Sequence, residues 1–208
     1  MNKQKSKEIL DILKEIIENP KPELDFKNPY ELIIAVVLSA QTTDKRVNIV
    51  TKDLFLKYPS SKDLACAEYS LVKEIISPLG LSSTKAKNII ALAQELEEKY
   101  NGIIPSDFDS LIALPGVGRK TANVVLALGF NIPAMPVDTH LYRMAVRLGY
   151  IRGDMDVVDA EIAYKKYIPK EEWTLAHHLF LLFGRYFCKA LHPLCDNCKL
   201  KNYCKYKG

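Results

Sequence analysis

Apolar positions along the chain recur every three to four residues, and no segment alternates with the period of two that a half-buried strand requires. Ile9, Leu10, Leu13, Ile16 and Ile17 share one helical face and Asn19-Pro20 stops them, which predicts an amphipathic helix over residues 6 to 18. Asn28 as cap and Pro29 at the first helical position open a second helix through Ala40. Its run from Leu32 to Leu38 is apolar on every side, which predicts a buried central helix. The polar interruption Ser39-Ala40-Gln41-Thr42-Thr43-Asp44 follows, with Thr43 or Asp44 capping a helix that carries Val47, Val50, Leu54 and Phe55. Shorter helical pieces around 62–66 and 68–76 lead to Pro78-Leu79-Gly80-Leu81. Ser82 or Ser83 is then expected to cap a long helix that ends at Asn101-Gly102. Helices over 107–113, 119–128, from Asp138 to Leu148, 157–167 and 171–187 complete an all-α chain without repeats or low-complexity tracts.

Two of the interruptions carry candidate chemistry. Leu114-Pro115-Gly116-Val117-Gly118 is a turn whose glycines can take positive φ and let backbone N–H groups approach another chain closely. The helix behind it starts with Arg119 and Lys120, and its unpaired amides and positive dipole end suit a phosphate. The spacing lacks the third glycine of a dinucleotide fingerprint and the GxxxxGK-Ser/Thr of a P-loop. In this first turn the dipole disfavours the ammonium form of Lys120. With partial burial, a neutral amine there would be a nucleophile able to form a Schiff base with a carbon electrophile. A solvated lysine touching phosphate is the plainer alternative. In Pro136-Val137-Asp138-Thr139-His140, Asp138 caps the following helix by the same local logic, and capping does not exclude catalysis.

The length of 208 residues accommodates one large domain or two small ones. The net charge of +4 does not by itself announce nucleic acid. Its distribution does more, because Arg185, Lys189, Lys199, Lys201, Lys205 and Lys207 face only Asp196 in the last stretch. Met1 to Lys7 is too charged for a secretory leader, and the apolar run Leu32 to Leu38 is too short to cross a bilayer, so a cytoplasmic protein is expected. In that compartment the spacing CxxxxxxCxxCxxxxxC formed by Cys188, Cys195, Cys198 and Cys204 reads as a metal site rather than as disulfides. Structural zinc and a four-iron cluster both accept four thiolates. The segment has no core of its own, so a bound metal would hold it together. Cys66, far upstream on an apolar face, is expected to be a buried hydrophobe.

Together LPGVGRKTA, the VDTH segment and the cysteine spacing resemble the endonuclease III family, the bifunctional DNA glycosylases of the helix–hairpin–helix superfamily. SAQTTD at Ser39 to Asp44 and HHLFLLFGRYFC at His177 to Cys188 extend the likeness over nearly the whole chain. The resemblance implies a helical-barrel domain with the hairpin over residues 22–132. It implies a second helical domain, residues 1–21 and 133–208, in which Cys188, Cys195, Cys198 and Cys204 hold a 4Fe-4S cluster. Lys120 would attack C1′ of the damaged nucleoside and Asp138 would assist. The hairpin at Gly116, Val117 and Gly118 would bind phosphate, and its carbonyls could hold a monovalent cation. Arg119, His140 and Lys189 would add DNA contacts, while Gln41 and Leu81 would fill the space left by the extruded nucleotide.

The activity so implied is removal of oxidised pyrimidines from duplex DNA, followed by β-elimination at the abasic site, by a monomer acting at the nucleoid. Lys120 also sets the chain apart from the adenine-removing relative, which lacks it. Three positions depart from the family pattern and bear on lesion range and phosphate contacts: Ile112 stands for an acidic residue, Ser82 for an aromatic one, and the 189–194 loop carries fewer cations. A glycosylase of the same fold with another lesion preference, and a non-enzymatic DNA-binding module, are the rival readings.

Overall fold

The computed structural model describes residues 1–206. Its internal contacts divide the chain into two compact units, Pro22–Ile132 and Met1–Lys21 with Pro133–Gly208. All regular structure among the described residues is helical.

Helix α1 (Lys3–Ile16) starts earlier than the apolar pattern alone predicts, because the Asn2 side chain accepts a hydrogen bond from the Lys5 amide and caps it. Ile9, Leu10 and Leu13 are buried on its inner face. Helix α2 (Pro29–Leu38) is capped by Asn28, whose Oδ1 accepts from the Glu31 amide at 2.9 Å. Everything from Tyr30 to Leu38 is buried, so this helix is the centre of its unit. It packs against α3 (Asp44–Lys57), and later against α6 and α8. Neither Thr43 nor Asp44 caps α3 with its side chain; Thr43 only occupies the cap position.

Helices α4 (Ser61–Ala65) and α5 (Tyr69–Ile75) lie on α6 (Ser82–Tyr100). Cys66 is exposed, contrary to its expected burial, because α4 ends at Ala65 and leaves the cysteine at the cap, beyond the packed face. The expected serine cap of α6 is also absent. Leu81 holds the cap position in a left-handed conformation, φ 50°, and no side chain closes the end. At the far end Asn101 and Gly102 take the left-handed conformation as expected, and the Gly102 amide reaches back to the Leu96 carbonyl. Helix α7 (Phe108–Ala113), capped by Asp107, runs into the hairpin, and α8 (Arg119–Val124) leaves it. Instead of continuing as regular helix to Leu128, α8 widens into a π-turn over Val125–Gly129. Val124 to Ala127 are buried in succession, and a Cβ at Gly129 would stand 3.3 Å from Leu32 Cδ2, so the widened turn is packed closely on α2.

The other unit gathers α1, α9 (Thr139–Leu148), α10 (Val157–Tyr167) and α11 (Trp173–Tyr186). A short 3-10 turn, Lys170–Glu172, replaces the first part of the predicted last helix. Tyr150, Tyr164 and Phe180 form its aromatic centre, with ring centroids 4.6 Å and 4.9 Å apart for the pairs that share Tyr164. Both phenols are buried with partners: Tyr164 Oη donates to the Leu141 carbonyl at 2.9 Å, and Tyr150 Oη shares a 2.7 Å hydrogen bond with Ser6 of α1. Burial pushes both hydroxyls above the ordinary tyrosine range. No helix among the described residues is long and apolar enough to cross a membrane.

Candidate functional site

In the first unit the hairpin is anchored from within. Leu114 and Val117 are buried, and the Val117 amide donates to the Leu114 carbonyl at 3.1 Å, which aims Gly116 and Gly118 outward. The two glycines differ. Gly116 has φ +76°, and a Cβ there would lie 3.0 Å from Asn88 Cβ, so the fold itself requires glycine. Gly118 has an ordinary φ of −95°, and a Cβ there would meet nothing within 4 Å. The expectation that both use positive φ therefore holds for Gly116 alone. Gly118 is the N-cap of α8, and the space beside it is open to the approach of another chain.

Arg119 places its guanidinium 4.9 Å from the Phe108 ring centroid, tying the start of α8 to α7. Lys120, next along, is exposed in the first turn. The partial burial expected of it is thus not built into the isolated chain. A bound partner would have to supply it.

Gln41 and Leu81, in the same unit, share a backbone peculiarity that spacing did not reveal. Both are non-glycine residues at positive φ, 54° and 50°, and both are exposed, Leu81 to 58 %. A leucine held in the left-handed region costs about 1–3 kcal/mol. An apolar side chain displayed to solvent recovers none of that cost.

In the other unit Asp138 caps α9. Its Oδ1 accepts both the His140 amide at 2.8 Å and the Leu141 amide at 2.9 Å. Because one oxygen takes both bonds, Oδ2 has no hydrogen-bond partner among the described residues. The capping role is real, and it leaves half of a half-buried carboxylate available. His140 is also half-buried, and Arg143 Nη2 lies 3.1 Å from its Nδ1. A guanidinium only donates, so Nδ1 accepts and the neutral ring carries its proton on Nε2.

All four terminal cysteines line one cavity of about 300 Å³, closed on its apolar side by Ile16, Phe183 and Phe187. Among the described residues no three His, Cys, Asp or Glu side chains are grouped to hold a single metal ion. The four cysteines thus share the lining of one hollow. Burial pushes the Cys198 thiol up, the Leu200 amide opposes this, and the neighbouring thiols raise it further.

Two arginines one turn apart on α9 secure the first cysteine. Arg147, buried, donates through Nη1 to Cys188 Sγ at 3.1 Å and to the Lys189 carbonyl at 2.8 Å, and stacks 4.1 Å from the Tyr206 ring centroid. Arg143 donates to the Cys188 carbonyl at 2.9 Å and the Gly184 carbonyl at 2.6 Å. The tail is tied back as well, since the Lys205 amide donates to the Arg147 carbonyl at 2.7 Å. Lys189 is exposed at the edge of this loop, and Lys199 is within 3.5 Å of Glu15. Of the basic stretch named from the sequence, Lys207 lies outside the described residues. Arg147 escaped notice in the sequence, although its place between Met144 and Leu148 on the buried face of α9 was the available signal.

The chain matches the model of the HhH-GPD superfamily of base excision DNA repair proteins over residues 34–170. It is 44% identical over 196 residues to Endonuclease III of Bacillus subtilis, covering 94% of this chain and 90% of that protein. To Endonuclease III of Rickettsia felis it is 46% identical over 208 residues, covering 99% of this chain and 96% of that protein. Among solved structures, a trapped Endonuclease III–DNA covalent intermediate in its estranged-adenine complex matches with a TM-score of 0.95 at 46% identity, covering 99% of this chain and 96% of that chain.

Proposed function

Since the chain belongs to the endonuclease III family, within the HhH-GPD superfamily of base excision DNA repair proteins, we propose that it removes oxidised pyrimidines from duplex DNA and nicks the abasic site through a Schiff base on Lys120. The observation that carries this reading is the placement of Lys120, exposed in the first turn behind an outward-facing glycine hairpin. The Nζ lone pair forms the bond to C1′ as the bond from C1′ to the base breaks, and the base leaves with a proton. The sugar ring then opens as the Schiff base forms. Loss of a C2′ proton expels the 3′ phosphate and cuts the strand on that side. Asp138, with Oδ2 uncommitted, stabilises positive charge at the sugar and assists the proton movements.

The amides and carbonyls of Gly116, Val117 and Gly118 bind the backbone of the damaged strand, with a monovalent cation on the carbonyls. Arg119, His140 Nε2–H and Lys189 add phosphate contacts. Gln41 and Leu81 enter the duplex in place of the extruded nucleotide, a use that accounts for an exposed leucine in a costly backbone conformation. We assign the barrel role to residues 22–132 and the cluster role to residues 1–21 with 133–208. The four cysteines around a cavity of about 300 Å³ fit a 4Fe-4S cluster, which they would bind as thiolates and whose iron would supply the bonds that hold this segment. The site of action is the cytoplasmic chromosome.

The test is a panel of duplexes carrying thymine glycol, uracil or an abasic site, with and without borohydride. Base loss, strand cleavage and a covalent protein–DNA adduct with thymine glycol are expected. Cleavage confined to the uracil duplex would transfer the chain to a different lesion class, and binding without any adduct would reduce the hairpin to a DNA-binding element.

The hairpin makes a separate prediction. Gly118→Val should cost no more than about 1 kcal/mol of stability, the scale of a lost helix cap. It should weaken duplex binding about tenfold or more, since hydrogen bonds to charged groups are worth about 1.5–3 kcal/mol each. Gly116→Val should instead lower stability by about 1–3 kcal/mol through backbone strain. Thermal melting and fluorescence-anisotropy titration separate the two effects, and unchanged binding by Gly118→Val would remove the phosphate from this turn.

A further inference from the structure

Lys85 lies in the first turn of α6 and is 4 % exposed, too deep to touch a bound duplex. Stability does not explain a lysine there. The helix dipole is unfavourable to an ammonium at that end, and desolvation costs the charge further, pushing its pKa below the ordinary lysine value. Its hydrogen bonds show what it holds. Nζ donates to Thr42 Oγ1 at 2.8 Å and to the Leu79 carbonyl at 3.1 Å, and the Thr42 hydroxyl itself donates to the same Leu79 carbonyl at 2.6 Å. Thr42 follows Gln41 directly, and Leu79 is two residues before Leu81. The ammonium therefore closes a three-atom knot between the loops that carry Gln41 and Leu81.

We propose that Lys85 is a positioning residue that locks the Gln41 loop and the Leu81 loop to each other, so that both side chains meet the duplex as one preformed wedge. The proposal rests on the assignment of Gln41 and Leu81 to duplex entry. Each loop has backbone bonds of its own, Thr42 N–H to the Ser39 carbonyl and Leu79 N–H to the Ile76 carbonyl, but these do not fix one loop against the other. A charge-assisted bond to each loop fixes their relative place before DNA arrives, so ordering them is not charged against binding.

The experiment uses the full chain with Lys85→Met, which keeps the length and apolar stem but removes the charge. Thr42→Val, which removes the hydroxyl and keeps the shape, is the second variant. Melting temperature should not fall for Lys85→Met. Single-turnover base removal from a thymine glycol duplex should slow by about tenfold to a hundredfold in both variants, the scale of a misplacement near 1 Å. A 2-aminopurine opposite the lesion should report slower extrusion. Cleavage of an abasic site in single-stranded DNA needs no wedge, and should stay within about twofold of wild type.

Equal losses on duplex and single strand would make Lys85 a general structural residue, and full duplex activity in both variants would overturn the lock. Gln41→Ala/Leu81→Ala serves as the reference. If that double variant is impaired on duplex while Lys85→Met is not, the lock fails and the wedge assignment survives. If the double variant extrudes the lesion normally, the wedge assignment fails and takes the lock with it.

Discussion

Replacing Lys120 by alanine is expected to abolish the borohydride-trapped adduct and to lower single-turnover base removal by about 10⁴-fold or more, the range seen when a nucleophile is deleted from a working site. Binding to an abasic-site duplex should change by no more than about fivefold, because an exposed ion pair contributes about 1 kcal/mol or less. The two readouts separate the alternatives that spacing left open. A nucleophile loses chemistry while binding persists, whereas a phosphate contact loses both in proportion. The exposure of Lys120 adds a further expectation for the wild type. Water must be excluded by the DNA itself, so chemical modification of this amine by a small aldehyde reagent should slow when duplex is bound. Protection absent in the presence of saturating duplex would contradict its place at the reacting sugar.

The second large effect concerns the terminal cysteines. Cys198→Ser is expected to yield a colourless protein with cluster occupancy at least about 100-fold below wild type, since even outer partners of a metal ligand are worth about 10–100-fold. Limited proteolysis should then cut between residues 188 and 204, where wild type resists. This segment has short 3-10 structure at Lys201–Tyr203, an apolar anchor at Leu200, and the two arginines of α9, but no regular helix of its own. A colourless wild-type protein containing zinc would refute the cluster, and equal protease resistance in the variant would show that Arg143 and Arg147 hold the loop unaided.

Much of this organisation is local and therefore legible in sequence. Period-3.6 stripes, Asn28-Pro29, Asn101-Gly102 and the cysteine spacing are each contained in a short stretch of chain, and short-range geometry suffices to read them. What escaped depends on partners far away. Lys85 falls on the stripe shared by Ile89, Leu92 and Leu96, where a lysine looks like an interruption, and its Thr42 acceptor is 43 residues upstream. Arg147 likewise sits among buried neighbours and finds its acceptors 41–43 residues downstream. The left-handed backbone at Gln41 and Leu81 has no sequence signature, because neither residue type favours it. Cys66 shows the converse: the helix whose apolar face it would share ends one residue before it. At the hairpin, two glycines that look equivalent in sequence are required for different reasons, and only the space around each tells them apart.

Helix α1 finds its partners late in the chain. Ser6 bonds to Tyr150, 144 residues away, and Glu8 accepts from Tyr203, 195 residues away. On a ribosome adding about 5–20 residues per second, the first of these partners is made roughly 7–30 s after α1. The unit at 22–132 is complete well before then and is free to close on its own contacts. Throughout that interval Ile9, Leu10 and Leu13 lack the later part of the core that buries them, including Tyr150, Tyr164 and Phe180. The unit carrying the cysteines, which draws on α1 and on residues beyond 132, can thus be completed only after the unit at 22–132.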